Sequence, residues 1–276
     1  MRKAFSAFRP DMAATVPSLM GILNVTPDSF SDGGRLAGAG AAIDAALAMH
    51  AAGAAIIDVG GESTRPGATP VALDEELRRT IPVVEGLSAR GVPVSIDTMK
   101  AEVMRQALAA GAIMLNDVSA LSADPESLGV AAACKAKIIL MHMPGTPQTM
   151  QAHASYSDAV CAVLAHLAAR VAAAEGAGIA RSRLIADPGI GFGKGVAHNI
   201  AILKQLEAFH ALGVPLLLGA SRKSLIPAIA GPAPASDRLA GSLALALRGA
   251  EAGVAWLRVH DVAETVQALK LWAAIR

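Results

Sequence analysis

The chain has few aromatic side chains, little cysteine and no excess of charge of either sign. Phe, Trp and Tyr make up 3% of its 276 residues, so a platform for stacking successive bases is not expected. Basic and acidic residues nearly cancel, at 24 and 23, and no long run of Lys or Arg occurs. A nucleic-acid or membrane-surface partner therefore lacks electrostatic support. The two cysteines, Cys134 and Cys161, have no CxxC spacing and read as buried thiols in a reducing, cytoplasmic setting. No segment reads as a membrane span, and the basic opening is not followed by the apolar run of a signal peptide. Several catalytic signatures are also missing. Gly189–Lys194 departs from a P-loop at Pro188 and Gly195, and it is no GxGxxG fingerprint. The seven histidines show neither HxxxH nor HExxH spacing, and there is no GxSxG elbow.

What the chain does have is a repeating unit. Short apolar runs end abruptly in polar residues and give way to Ala-rich helical stretches. The runs are Leu19–Val25, Ala55–Val59, Val92–Ile96, Ile113–Leu115, Ile138–Met141, Leu184–Ala186, Pro215–Leu218 and Ala255–Val259. Apolar runs without alternation suit strands buried on both faces, hence parallel pairing with helical crossovers. Eight units predict one α/β domain over residues 1–276, a (β/α)8 TIM barrel with 1–17 as an N-terminal extension. A doubly wound open sheet is the alternative, and the short fourth run is the weak point. Leu73, Leu77, Ile81, Val84 and Leu87 mark one helix face, with a kink expected at Pro82. Val262, Val266, Leu269 and Ala273 mark another. Ser155 with Asp158, and Asp124 before Pro125, read as helix starts.

In such a barrel the chemistry stands at the carboxyl ends of the strands. There the chain carries Asn24, Asp58, Asp97-Thr98, Asn116-Asp117, His142, Asp187, Ser221-Arg222-Lys223 and Arg258–Asp261. Two long polar loops, Thr26–Gly34 and Gly60–Pro70, are candidate lids. Asp97, Asn116 and Asp187 supply acceptors for a flat ring rich in N–H groups. Arg65, Arg222, Lys223, Arg258 and His260 supply donors for an anion. Glu62 reads as a loop brace, Asp117 as a partner of backbone groups, and Asp261 as the cap of the last helix.

The motifs Met20–Gly34, Ile57–Gly67, Ser95–Thr98, Asn116-Asp117, Leu140–Met143, Asp187–Lys194, Gly219–Ser224 and Arg258–Val262 together resemble the dihydropteroate synthase family of pterin-binding barrel enzymes. The resemblance implies condensation of p-aminobenzoate with a dihydropterin methyl diphosphate. It places Asp97, Asn116, Asp187 and Lys223 around the pterin, with Met141, Phe192 and Gly219 lining the slot. It places Arg65, Arg258 and His260 on the diphosphate, Asn24 on Mg²⁺, and Phe30, Thr64, Pro66 and Ser221 beside p-aminobenzoate. It further implies a homodimer and competition by sulfonamides. A pterin-dependent methyltransferase would have no use for the diphosphate grip, and a non-catalytic pterin-binding paralogue would lack the first loop or Lys223. Neither is lost.

Overall fold

A computed structural model describes residues 16–25 and 34–276. All eight runs form strands: β1 Ser18–Asn24, β2 Ile56–Gly60, β3 Val94–Asp97, β4 Met114–Asp117, β5 Lys137–Met141, β6 Leu184–Asp187, β7 Leu217–Leu218 and β8 Trp256–Val259. They are parallel, in the order β6-β5-β4-β3-β2-β1-β8-β7. A parallel bridge between Ala186 and Leu216 joins the two outer members, and Ala186 N–H donates to the Pro215 carbonyl at 2.9 Å. The sheet therefore closes on itself, which removes the open-sheet alternative. The weakest strand is β7, with two residues, not the fourth.

Strand alternation builds the interior in layers. Met20, Ile56, Met114, Ile139, Ile185 and Leu217 form one apolar cluster with Trp256 packed against it. Their strand neighbours Leu19, Ile57, Leu115, Ile138, Leu184, Leu218 and Leu257 join the larger cluster under the helices. The first set is a plug inside the barrel. Two residues further along from these stand Ile22, Asp58, Asn116, Met141, Asp187, Gly219 and Arg258, the next inward layer above the plug.

Around the barrel run α1 Gly34–Ala51, α2 Leu73–Ser88, α3 Ala101–Ala109, α4 Ser127–Ala133, α5 Ala159–Gly176, α6 Val196–Lys204, α7 Leu225–Ala230, α8 Leu239–Glu251 and α9 Val262–Ala274. Several sequence expectations shift here. The buried stripe of α2 is Glu76, Thr80, Val83, Val84 and Leu87, so Leu73 is exposed, and the helix continues through Pro82. On α9 the last inward residue is Trp272, not Ala273. Asp158 caps α5 by accepting from Cys161 N–H at 3.0 Å, so Ser155 lies before the cap. Asp124 caps a neighbour as well: its Oδ2 accepts from Ala101 N–H at the start of α3 at 2.9 Å. Cys161 is exposed and Cys134 half-buried, both unpaired. By length and composition α5 does reach the range of a membrane span. Alanine supplies much of that apolarity, and Val163, Leu167 and Val171 pack into the core.

Glu76 is the polar exception on the α2 stripe, 1% exposed. Its Oε1 accepts from Thr98 Oγ1 at 2.6 Å, and its Oε2 pairs with Lys100, which also pairs with Glu62. Replacing Glu76 with Ala strands Lys100 and Thr98 on one side of this knot. Urea unfolding of Glu76→Ala is expected to show a loss of about 2–4 kcal/mol. A change below about 0.5 kcal/mol would mean the knot is solvated.

Candidate active site

The layer above the plug is a set of buried charges. Arg258 leaves β8 and turns across the barrel. Its Nε donates to Asp58 Oδ2 at 2.6 Å and its Nη2 to Asp97 Oδ2 at 2.7 Å. Asn116 Nδ2 donates to the same Asp58 oxygen at 2.9 Å. Parallel register sets Asp97 beside Asn116, and Gly60 beside Asp97. A Cβ at Gly60 would stand 3.5 Å from that of Asp97. Burial raises the Asp97 carboxyl to about 7, against the pull of Arg258. Burial works against the Arg258 charge, but Asp58 and Asp97 outweigh it and hold the guanidinium protonated. Asp58 Oδ1 and Asp97 Oδ1 are buried without a hydrogen-bond partner, which costs about 1–3 kcal/mol each. The sequence reading gave Asp58 no role and sent Arg258 to the diphosphate. In this structure Arg258 is instead engaged with the carboxylates.

Asp187 closes the opposite wall. Its Oδ1 accepts from Gly189 N–H at 2.7 Å, and burial raises its carboxyl above the usual range. Lys194 was not foreseen as a site residue. It is 4% exposed, and its Nζ donates to the carbonyls of His142, Gly189 and Phe192 at 3.1, 2.9 and 2.9 Å. These bonds pin the Gly189–Gly195 turn onto the end of β5. The turn needs glycine: Gly189 has φ 69°, and a Cβ there would lie 2.2 Å from the His142 carbonyl oxygen. Phe192 is thereby presented to Lys223, whose Nζ sits 3.9 Å from the ring centroid. Met141, Met143, Val118 and Met150 form an apolar cluster with Phe192 packed on it.

At the lip, Ser221 Oγ lies 3.0 Å from His260 Nδ1 and accepts from His260 N–H at 3.2 Å. Burial, then Arg222 and Arg258, lower the His260 imidazole to about 4. It is therefore a neutral group at pH 7, not the cation the sequence suggested. Arg222 is also taken: it pairs with Asp261. Asp261 precedes α9 but makes no side-chain cap. Arg65 is exposed on the second loop and Thr64 half-buried, with Pro66 next to them. That loop is braced by Glu62 with Lys100, by Arg79 Nη1 donating to the Gly61 carbonyl at 2.8 Å, and by Gln148 Nε2 donating to the Ala68 carbonyl at 2.9 Å. The Pro144–Met150 stretch, which had no role in the sequence reading, thus supports it. Asp117 does bind backbone, accepting from Ser119 and Leu121 N–H. Asn24 ends β1, half-buried. Phe30 and the first loop lie outside the described residues.

A recess of buried acceptors with a partly cationic rim is what a nitrogen-rich ring bearing an anion requires. The family model for pterin binding enzymes matches residues 20–260. A dihydropteroate synthase from Escherichia coli K12 is 49% identical over 256 residues, covering 92% of this chain and 90% of that one. The chain belongs to the dihydropteroate synthase family. The Xanthomonas albilineans dihydropteroate synthase solved with 4-aminobenzoic acid superposes with a TM-score of 0.89 at 49% identity, covering 95% of this chain and 94% of that one. A structure of the same organism's synthase in complex with 7,8-dihydropteroate gives 0.86 at 46%, covering 96% and 95%.

Lys223 faces the carboxylates of Asp187 and Asp97 and the guanidinium of Arg258. Burial lowers its ammonium to about 8. A lysine with a depressed value keeps its charge below that pH and loses it above. The kcat/KM for the pterin substrate is therefore expected to fall as pH rises through about 8. The falling limb should be absent in Lys223→Arg, whose guanidinium stays charged.

Proposed function

We propose that the chain condenses p-aminobenzoate with (7,8-dihydropterin-6-yl)methyl diphosphate, giving 7,8-dihydropteroate and diphosphate. One observation carries the reading: buried Asp97, Asn116 and Asp187 with half-buried Lys223 stand at one barrel mouth in a chain this similar to proteins named for that reaction. Asp97, Asn116 and Asp187 would take the ring's amino and N–H groups. Lys223 would donate to the ring's oxygen and neighbouring nitrogen, while Met141, Phe192 and Gly219 flank the ring. Thr64, Pro66 and Ser221, with Phe30, would border p-aminobenzoate. Arg65 and His260 would meet the diphosphate, joined by Arg258 if it leaves its carboxylates.

The reaction breaks the bond between the pterin methylene carbon and its oxygen. The electron pair leaves with the diphosphate, and positive charge spreads into the ring. Asp97 and Asp187 stand where they would stabilise that charge. The arylamine nitrogen then forms the new bond and gives up one proton. An arylamine is neutral and nucleophilic at pH 7, so no strong base is needed. His260, neutral and hydrogen-bonded to Ser221, would donate to a departing oxygen without carrying a charge.

Mg²⁺ fits the residues present. Among the described residues no cluster of three or more His, Cys, Asp or Glu could hold a metal. Asn24 supplies one amide oxygen, and Mg²⁺ commonly draws its other ligands from phosphates and water. Bound there, it would neutralise charge on the diphosphate.

The homodimer is also a proposal. Between α6, α7 and α8 lies a cavity of about 370 Å³ lined by Ile200, Leu203, Leu225, Ile226, Ile229 and Leu245. Ile229 is 62% exposed. Such a surface suits a second copy of the chain. The two unpaired thiols accord with a cytoplasmic setting.

With Mg²⁺ present, diphosphate release is expected only when both substrates are supplied, and omitting either should abolish it. Release without p-aminobenzoate would make the protein a hydrolase. Calorimetry on Asp97→Ala or Lys223→Ala should show pterin binding weakened by about 2–5 kcal/mol. In sedimentation, the wild type should run at twice its chain mass and Ile229→Glu as a single chain. A wild type that already sediments as one chain refutes the dimer.

A further inference from the structure

Two site residues converge on one buried carboxylate oxygen. Asp58 Oδ2 accepts from both Arg258 Nε and Asn116 Nδ2. The Asp58 side chain is 0% exposed. Register places it beside Ser95, two residues before the Gly60–Asp97 pair. A ligand entering from the mouth meets Asp97 and Asn116 first and does not touch Asp58.

A carboxylate beside a guanidinium accepts hydrogen bonds and does not donate them. Turning the Asn116 amide over would set its oxygen against Asp58 Oδ2 at about 2.9 Å, with no proton between them. The orientation is thus dictated: nitrogen down to Asp58, carbonyl oxygen left for the ligand. An unconstrained Asn could offer either atom and would bind a ring donor or a ring acceptor alike. Arg258 is oriented by the same oxygen, with Nε and Nη2 committed to the two carboxylates and Nη1 left over.

We propose that Asp58 is the positioning residue that sets the hydrogen-bonding polarity of the pocket, locking Asn116 as an acceptor so that rings presenting N–H donors are selected over their oxo counterparts. The proposal rests on the pterin reading above and deepens it. It assigns Asp58 no contact with substrate. Its effect is on selectivity, which a merely structural residue would not alter.

The test is the ratio of affinities for pterin and lumazine, which differ by an amino group replaced with oxo. It is measured by calorimetry on the wild type, Asp58→Ser, Asn116→Ala and the double variant. The wild type is expected to prefer pterin. In Asp58→Ser the hydroxyl can accept from Arg258 and donate to Asn116 at once, so Asn116 is free to turn. The preference should narrow by about 10-fold, the size of one hydrogen-bond mismatch. In the Asn116→Ala background the same change at Asp58 should leave the ratio where it was. If Asp58→Ser does not fold, Asp58→Thr, whose hydroxyl also donates and accepts at once, gives the same reading. Equal losses of affinity for both rings, with the ratio kept, would overturn the role of Asp58 while leaving the pterin reading intact. A wild type that binds neither ring overturns the pterin reading and this proposal with it.

Discussion

Closing eight parallel strands into a barrel gives every second side chain one place to go, inward. That constraint organises the molecule. The plug residues Met20, Ile56, Met114, Ile139, Ile185 and Leu217 fill the lower interior, and a step of two along the strands reaches the site layer. Ile56 leads to Asp58, Met114 to Asn116, Ile185 to Asp187, and Trp256 to Arg258. The apolar layer is a dry floor on which charges interact more strongly than in water. It also makes each of them expensive to leave alone. Hence Arg258 reaches two carboxylates, Asn116 makes the second contact on the Asp58 oxygen, and Lys194 reaches three carbonyls.

The strands were legible because a strand buried on both faces must be apolar throughout, and only Val-, Ile- and Leu-rich runs satisfy that. The helix faces were less legible. Ala is tolerated on either side of a helix, so Ala-rich segments leave little period to read. On α2 a buried Glu76 breaks the apolar pattern for a tertiary reason, its bonds to Thr98 and Lys100. Caps were misread for a similar reason. Asp124 accepts from Glu126 N–H just ahead of α4 with one oxygen, and with the other it caps α3, which lies across the chain. Sequence neighbours cannot show that.

Within the site, the residues that end a strand were found because a polar residue after an apolar run stands out. Asp58 lies mid-strand between Ile57 and Val59, and its importance depends on which way it points. The available signal was parity: it shares a face with Gly60, whose missing side chain leaves room beside Asp97. Lys194 hid in a glycine turn that resembles a phosphate loop enough to be argued away. What no spacing could reveal is how the cations are spent. Arg222 and Arg258 look alike in sequence, yet one holds Asp261 at the rim and the other crosses the barrel floor.

That spending bears on how a diphosphate could be held. Among the described residues of the mouth, Asp58, Asp97 and Asp187 face Arg258, Lys223 and Lys194, three acidic groups against three basic ones, with burial bringing both Asp97 and Lys194 to about 7. Such a pocket suits a neutral ring whose charge changes during reaction. It has little positive charge to spare for a leaving group with several negative charges. His260 is neutral and Arg222 is paired, which leaves Arg65 on its braced loop. A divalent cation would supply the missing charge without disturbing the balance below. The shortage of free cations among the described residues of the rim is therefore the physical argument for proposing Mg²⁺ beside Asn24. The same balance would let Arg258 change partners. Were a diphosphate to arrive above while positive charge grew on a ring beside Asp97, the guanidinium would gain an anion on one side and its carboxylate a cation on the other.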